Sequence, residues 1–146
     1  MSIWRIIELK TFMMIIILMA LIMGIVSPLT YRESDTDRLI KIIEHIESRH
    51  NENARNGKYV GTLQISPIMI REANRINGYN KYSLSDRNDS LMSANIFKDI
   101  MNHKNKKKSI RKAVIIWHGK NNPNYRKKVI HMFILKKIEC DKCTTR

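Results

Sequence analysis

An uncharged apolar run near the start of the chain most constrains what this sequence can fold into. Residues 11–26 carry no charged side chain and, after the first threonine, are all Phe, Met, Ile, Leu, Ala, Gly or Val. A helix on the surface of a soluble core keeps one polar face, and this run has none. At about 1.5 Å per residue it spans roughly 25 Å, close to the lower limit for crossing a bilayer. The run predicts a membrane anchor or signal sequence over residues 1–30, ahead of one small domain over residues 31–146.

The flanks of the run favour a retained anchor over a cleaved signal. No small-x-small cleavage site is evident, and Pro28 directly follows Ser27, where cleavage is disfavoured. Basic side chains precede the run, whereas acidic side chains outnumber basic ones just after it. The positive-inside rule then predicts a single-pass membrane protein with a cytoplasmic N-terminus and a domain on the periplasmic or extracellular side. If the segment is cleaved, the domain is secreted.

The strongly basic balance predicts an anionic partner. The formal net charge is +14, with 27 Lys and Arg against 13 Asp and Glu. Nucleic acid, anionic lipid and a cell wall bearing carboxylates and phosphates all fit such a field. The predicted outward orientation disfavours nucleic acid. Residues 104–112 are the densest basic run, and they are either a solvated surface or an electrostatic dock for wall polymer or lipid.

Apolar spacing predicts a mostly α domain with at most a small β hairpin. Helices are predicted over residues 35–48, 67–76, 89–103 and 124–138, with another short helix that Ser109 caps. Pro67 fits the first position of its helix, and Asn77-Gly78 ends it. Residues 51–60 are polar, and Asn56-Gly57 marks a turn there. Residues 80–88 are predicted to form a loop.

Glu47 stands out within the first predicted helix. It lies four residues after Ile43 and so continues the apolar stripe, whereas Glu44 falls on the wetter side. A carboxyl at the edge of an apolar stripe loses hydration, which raises its pKa toward the range that a general acid needs. The alternative is a surface glutamate at a helix end that pairs with Arg49.

The residues after Glu47 carry a resemblance to a known family. Glu47-Ser48 is followed by Asn51, Ala54, Gly57 and then Gly-Thr-Leu-Gln-Ile-Ser-Pro over residues 61–67. This stretch resembles the lytic transglycosylase domain of the lysozyme-like superfamily, where Glu-Ser, Asn, Ala and Gly precede Gly-Leu-x-Gln-Ile-x-Pro. The leucine is shifted by one position here. Residues 82–97 and 113–119 are similar to later family segments, although His118 replaces the family's Asn, and the resemblance covers about residues 37–129.

The resemblance implies a lysozyme-like fold and cleavage of the MurNAc-GlcNAc bond of peptidoglycan. In the family a lone Glu, here Glu47, protonates the leaving oxygen and then acts as base. The muramyl 6-hydroxyl attacks with help from the N-acetyl group and gives a 1,6-anhydro sugar, with no cofactor. Two readings stay open: a muramidase-type hydrolase, which needs a second carboxylate from Glu52, Asp86 or Asp89, and a non-catalytic wall-binding module.

Six further side chains are candidates for contact with the glycan: Ser48, Tyr59, Gln64, Trp117, His118 and Tyr125. The Gln64 amide either binds an N-acetyl group or ties down its loop, and the Ser48 hydroxyl either orients Glu47 or satisfies the helix end. Aromatic rings at helical spacing either stack on sugars or belong to the core. Tyr125 resembles the family's late cleft tyrosine.

Cys140 and Cys143 are the only thiols. They could form half of a zinc site, but no second pair exists to complete four ligands. For a domain outside the cytoplasm a local disulfide is favoured, and no metal site is predicted.

Overall fold

The computed structural model describes residues 13–14 and 33–144, with side chains described up to residue 140. The chain divides into two units, Met1–Arg32 and Glu33–Arg146, and the architecture below is that of the second. Apart from residues 13–14, the predicted anchor lies outside the described residues. Within the described ranges, no helix combines the length and apolar character needed to span a membrane.

The described domain is mostly α with one small antiparallel hairpin, which confirms the predicted class. Its elements in chain order are α1 (Asp35–Ser48), β1 (Arg55–Asn56), β2 (Tyr59–Val60), α2 (Pro67–Asn77), a 3-10 turn (Ser85–Asn88), α3 (Ser90–Lys104), α4 (Ile110–His118) and α5 (Pro123–Thr144). The hairpin pairs Arg55 with Val60 and Asn56 with Tyr59. Val60 also forms an isolated bridge with Ile65, which folds the following turn back onto the hairpin.

Side-chain caps fix where the first four helices begin. A side-chain oxygen of Ser34, Ser66, Asp89 or Ser109 accepts the backbone N–H three residues later. Each cap satisfies one of the N–H groups that the first turn of a helix leaves without a partner. The predicted starts are therefore confirmed to within one residue.

The last helix is longer than predicted, because it starts at Pro123 and runs to Thr144 rather than over residues 124–138. The Asn122 side chain accepts the Tyr125 N–H at 3.0 Å and caps the helix, and proline fits the first helical position. No glycine or proline follows residue 138 to stop the helix. The predicted loop over residues 80–88 contains the 3-10 turn.

One hydrophobic core joins all five described helices. Helix α3 packs against α1, α2 and α4, and α5 packs against α1 and α4. Ile43 of α1 and Leu63 of the turn after the hairpin are fully buried in the same cluster. Burial of each such side chain contributes about 1.5–3 kcal/mol. This packing holds the turn against the C-terminal end of α1, where Glu47 lies.

Candidate active site

A cleft of about 300 Å³ opens where the end of α1, the hairpin, the start of α2 and the end of α4 meet. Its size is at the lower end of the range for small-molecule sites. The lining residues are Glu47, Asn56, Tyr59, Leu63, Gln64, Met69, Trp117 and His118. Five of the seven residues predicted for the site are thus brought together: Glu47, Tyr59, Gln64, Trp117 and His118.

Glu47 is the one carboxyl among the residues that line this cleft. It is half-buried at the next-to-last position of α1. The three acids considered as a second carboxyl accept hydrogen bonds from backbone N–H groups and do not line the cleft. Glu52 accepts the Ser90 N–H at 3.3 Å, Asp86 accepts the Ser83 N–H at 2.8 Å, and Asp89 caps α3. The cleft therefore offers one carboxyl for acid and base chemistry.

The spacing predicted that Glu44 faces solvent, and this prediction is wrong. Its side chain is only 12% exposed and lies 3.5 Å from Nδ1 of His50. Arg49 and His50 adopt left-handed φ angles of 54° and 64°. The chain therefore reverses at the end of α1 and brings His50 back against Glu44. The alternative ion pair between Glu47 and Arg49 does not form between these two described residues.

Tyr125 lies beside Glu47 without lining the cleft itself. Its hydroxyl is buried and interacts with the Glu47 carboxylate, without meeting the geometry of a regular hydrogen bond to any described residue. Burial, and after it the nearby Glu47 carboxylate, raise the pKa of Tyr125, so the phenol stays neutral and remains a donor. The Tyr125 ring stacks on His118 with 3.8 Å between ring centroids. The neutral phenol is therefore placed to donate to the Glu47 carboxylate.

Gln64 and Ser48 hold the turn after the hairpin in place. Gln64 has a φ of 50°, and its amide nitrogen donates to the Gly61 carbonyl at 2.9 Å and to the Ala54 carbonyl at 3.3 Å. Gln64 therefore ties down its loop, and its amide oxygen remains for a ligand. The Ser48 hydroxyl lies 2.9 Å from the Thr62 carbonyl oxygen and 3.1 Å from that of Glu44. Ser48 satisfies backbone groups and does not line the cleft.

The two predicted stacking rings differ in their surroundings. Trp117 is buried, and its ring packs against Phe97 with 4.7 Å between centroids, so it is a core residue with one edge at the cleft. Tyr59 is exposed on β2, with the Lys58 amine 5.6 Å from its ring centroid. Tyr59 therefore has the more accessible face for a sugar ring.

Arg87 supports the site although no sequence signal marked it. Its guanidinium donates to the Lys58 carbonyl at 3.2 Å and the Ile65 carbonyl at 3.4 Å, on either side of the turn. Gly61 in that turn has a φ of 82°, and a Cβ atom there would lie 1.6 Å from the Arg87 carbonyl oxygen. Only glycine allows this close approach between the turn and the 3-10 segment.

Asn56, Leu63 and Met69 also line the cleft without having been predicted. Asn56 carried one usable signal, since it is the polar residue before the Gly57 turn. Leu63 and Met69 read as ordinary core positions, and only the tertiary fold brings them to the cleft.

In the described part of the chain, no group of three His, Cys, Asp or Glu side chains is placed to bind one metal ion. Cys140 is half-buried in α5. The Cys143 side chain lies outside the described residues, so the predicted disulfide stays a prediction.

Fold and site together define a small, mostly helical domain with a polar and aromatic cleft that holds a single carboxyl. Comparison of the chain with protein-family models, with curated protein sequences and with solved structures gives no match. The function is therefore argued from the cleft and from the motif around Glu47.

Proposed function

We propose that this chain is a peptidoglycan lytic transglycosylase on a lysozyme-like domain, and that Glu47 is its only acid and base. The observation that carries the proposal is the lone Glu47 carboxyl in a cleft of about 300 Å³ that also presents Gln64 and Tyr59. Hydrolases of this kind usually set two carboxyls across the scissile bond. A single carboxyl suits a reaction in which the substrate provides its own nucleophile.

In the proposed reaction, protonated Glu47 donates its proton to the oxygen that links MurNAc to GlcNAc. The bond from the muramyl C1 to that oxygen breaks, and the N-acetyl oxygen of the substrate stabilises the positive charge at C1. The Glu47 carboxylate then takes the proton of the muramyl 6-hydroxyl as that oxygen bonds to C1. The product is a 1,6-anhydro sugar, no water is consumed, and Glu47 ends protonated as it began.

Tyr125 supports this cycle at the stage when Glu47 is ionised. A buried neutral phenol is a hydrogen-bond donor, and the Glu47 carboxylate is the acceptor beside it. A donor that turns toward the carboxylate after proton transfer stabilises the charge that develops there. The proposed partners are peptidoglycan glycan strands and, through residues 1–30, the membrane. The domain then acts on the periplasmic or extracellular side.

The test uses the purified chain on insoluble peptidoglycan, with Glu47→Gln beside Glu44→Gln. Glu44 is a matched control, because it lies one turn earlier in α1 and is largely buried but does not line the cleft. Mass spectrometry of the soluble products is expected to show sugars lighter by one water than hydrolysis products. We expect Glu47→Gln to lower their rate of release by about 10²–10⁴-fold and Glu44→Gln to change it little.

Other outcomes separate the alternatives. Reducing-end products that need Glu47 would indicate a muramidase-type hydrolase. Wall binding without any product from either protein would indicate a binding module. Equal losses in the two variants, with reduced helical content by circular dichroism, would mean that damage to α1 and not lost chemistry explains the effect.

A further inference from the structure

Helix α5 presents a long solvent-facing side that no described element covers. Its inner side places Val129 and Phe133 in the core, where α5 meets α1 and α4. Its outer side repeats at spacings of three and four residues, which is one helical face. The exposed side chains on that face include Lys127, Lys128, His131, Ile134, Leu135 and Ile138, and Glu139 is exposed at its edge.

The outer face divides into a basic half and an apolar half. Ile134, Leu135 and Ile138 are 51%, 48% and 46% exposed and adjoin one another over one turn. Lys127 and Lys128 precede them by two turns and form no ion pair with any described residue. Grouped aliphatic side chains in contact with water on a soluble surface mark an interaction site more often than single ones do.

Charge and area decide what kind of partner this face fits. A second copy is disfavoured, because each chain carries a net charge of +14 and the facing lysines would repel. Three half-exposed aliphatic side chains also fall well short of the roughly 800 Å² that each partner of a stable interface buries. A wall polymer would satisfy the lysines but has no apolar region to cover the aliphatic half. An anionic bilayer offers both headgroup phosphates and acyl chains.

We propose that α5 docks on an anionic membrane surface along this outer face. Ile134, Leu135 and Ile138 enter the boundary between headgroups and acyl chains, and Lys127 and Lys128 lie against the phosphates. Burial of apolar side chains and attraction of basic side chains to anionic lipid both strengthen binding at a membrane interface. The proposal is independent of wall cleavage, because none of these residues lines the cleft.

A local probe tests the docking in the full chain. The chain carrying Cys140→Ser, Cys143→Ser and Ile138→Cys is labelled with an environment-sensitive NBD dye and reconstituted into phosphatidylcholine vesicles with or without phosphatidylglycerol. We expect phosphatidylglycerol to shift the emission to shorter wavelength and to protect the dye from iodide. The matched control places the dye at Leu91→Cys on α3, which is also exposed, and there we expect no change.

Two double variants assign the effect to the outer face. In the labelled chain, Lys127→Gln with Lys128→Gln is expected to lower the docked-to-undocked ratio by roughly 30-fold, from about 1 kcal/mol for each lysine near an anionic surface. The same charge removed elsewhere, by Lys106→Gln with Lys107→Gln, should change that ratio little. Ile134→Ser with Leu135→Ser should abolish the shift.

Several results would overturn the proposal. A dye at position 138 that is equally shielded in phosphatidylcholine alone means that another surface covers the face. If that shielding falls when the protein is diluted, a second copy covers the face. If it persists on dilution, another part of the same chain covers the face. An equal loss from the Lys106 and Lys107 pair would mean general attraction of the basic protein. Wall cleavage is measured on the same samples, so that a loss of docking can be told apart from a loss of the proposed activity.

Discussion

At the scale of single residues, the most informative group is the Tyr125 hydroxyl. It is buried, makes no regular hydrogen bond to a described residue, and interacts with the Glu47 carboxylate, the group that performs the proposed chemistry. A phenol held beside a carboxylate can contribute to the stability of the fold or to the chemistry of the cleft.

Tyr125→Phe separates these two roles. The substitution keeps the ring that stacks on His118 and removes only the phenol oxygen. We expect the free energy of unfolding, from urea titration, to stay within about 1 kcal/mol of the wild-type value. The rate of wall cleavage should fall at least about tenfold, because the Glu47 carboxylate loses a donor. A less stable protein that cleaves as well as the wild type would contradict the assignment.

Gly61 and Gly57 form a second residue-scale test. Both have positive φ angles, of 82° and 58°, but only at Gly61 would a Cβ atom collide with backbone, at the Arg87 carbonyl oxygen. Gly57→Ala should lower the free energy of unfolding by about 1–2 kcal/mol, because alanine must adopt a left-handed backbone conformation there. Gly61→Ala should cost more than about 4 kcal/mol, because the turn and the 3-10 segment must separate. Thermal unfolding of both variants checks this, and equal costs would show that no close approach exists.

At the scale of elements, local chemistry made the helices predictable. Ser34, Ser66, Asp89 and Ser109 are caps that the sequence displays, and each one starts a helix. The end of α5 was missed because its sequence has no stop signal. The wrong placement of Glu44 has a tertiary cause, since the chain reversal at Arg49 and His50 covers a position that periodicity leaves in water.

Glu72 couples two helices in a way that pH should reveal. Its carboxylate accepts hydrogen bonds from Arg75 in α2 and pairs with Lys104 at the end of α3. These donors, Arg75 first and then Lys104, lower the pKa of Glu72 from 4.5 to about 2. The ionised form is favoured on folding. The stabilisation is therefore complete above pH 4.5 and is lost as pH falls toward 2.

We expect Glu72→Gln to lower the free energy of unfolding at pH 7 by about 1 kcal/mol or less, because the group is partly exposed and screened by solvent. The difference from wild type should vanish by about pH 2. Thermal unfolding of the two proteins across this pH range measures it. Lys104→Gln, which removes one partner, should give a smaller effect. A difference that does not change with pH would mean that packing, and not charge, explains the loss.

At the scale of the whole molecule, the assembly of the cleft shows where sequence reasoning stops. Periodicity placed Glu47 at the edge of the core, and the family resemblance singled out Gln64 and His118, which line the same cleft. The support from Arg87 depends on backbone carbonyls that carry no sequence signal. The burial of the Tyr125 hydroxyl depends on how α5 packs against two other helices, which spacing along the chain does not encode.

The net charge of +14 predicts how the whole molecule responds to salt. Under the proposed function, a field of this sign concentrates the protein on a wall that bears carboxylates and phosphates. Salt shortens the range of that field from about 10 Å at 0.1 M to about 3 Å at 1 M. The KM for intact wall should therefore rise at least about tenfold over this range, with kcat nearly constant. A short glycan with esterified carboxylates serves as the control, because its KM should not respond to salt. If its turnover falls as much as that on the wall, salt acts on the cleft or the fold, and the long-range field does not guide the protein to its substrate.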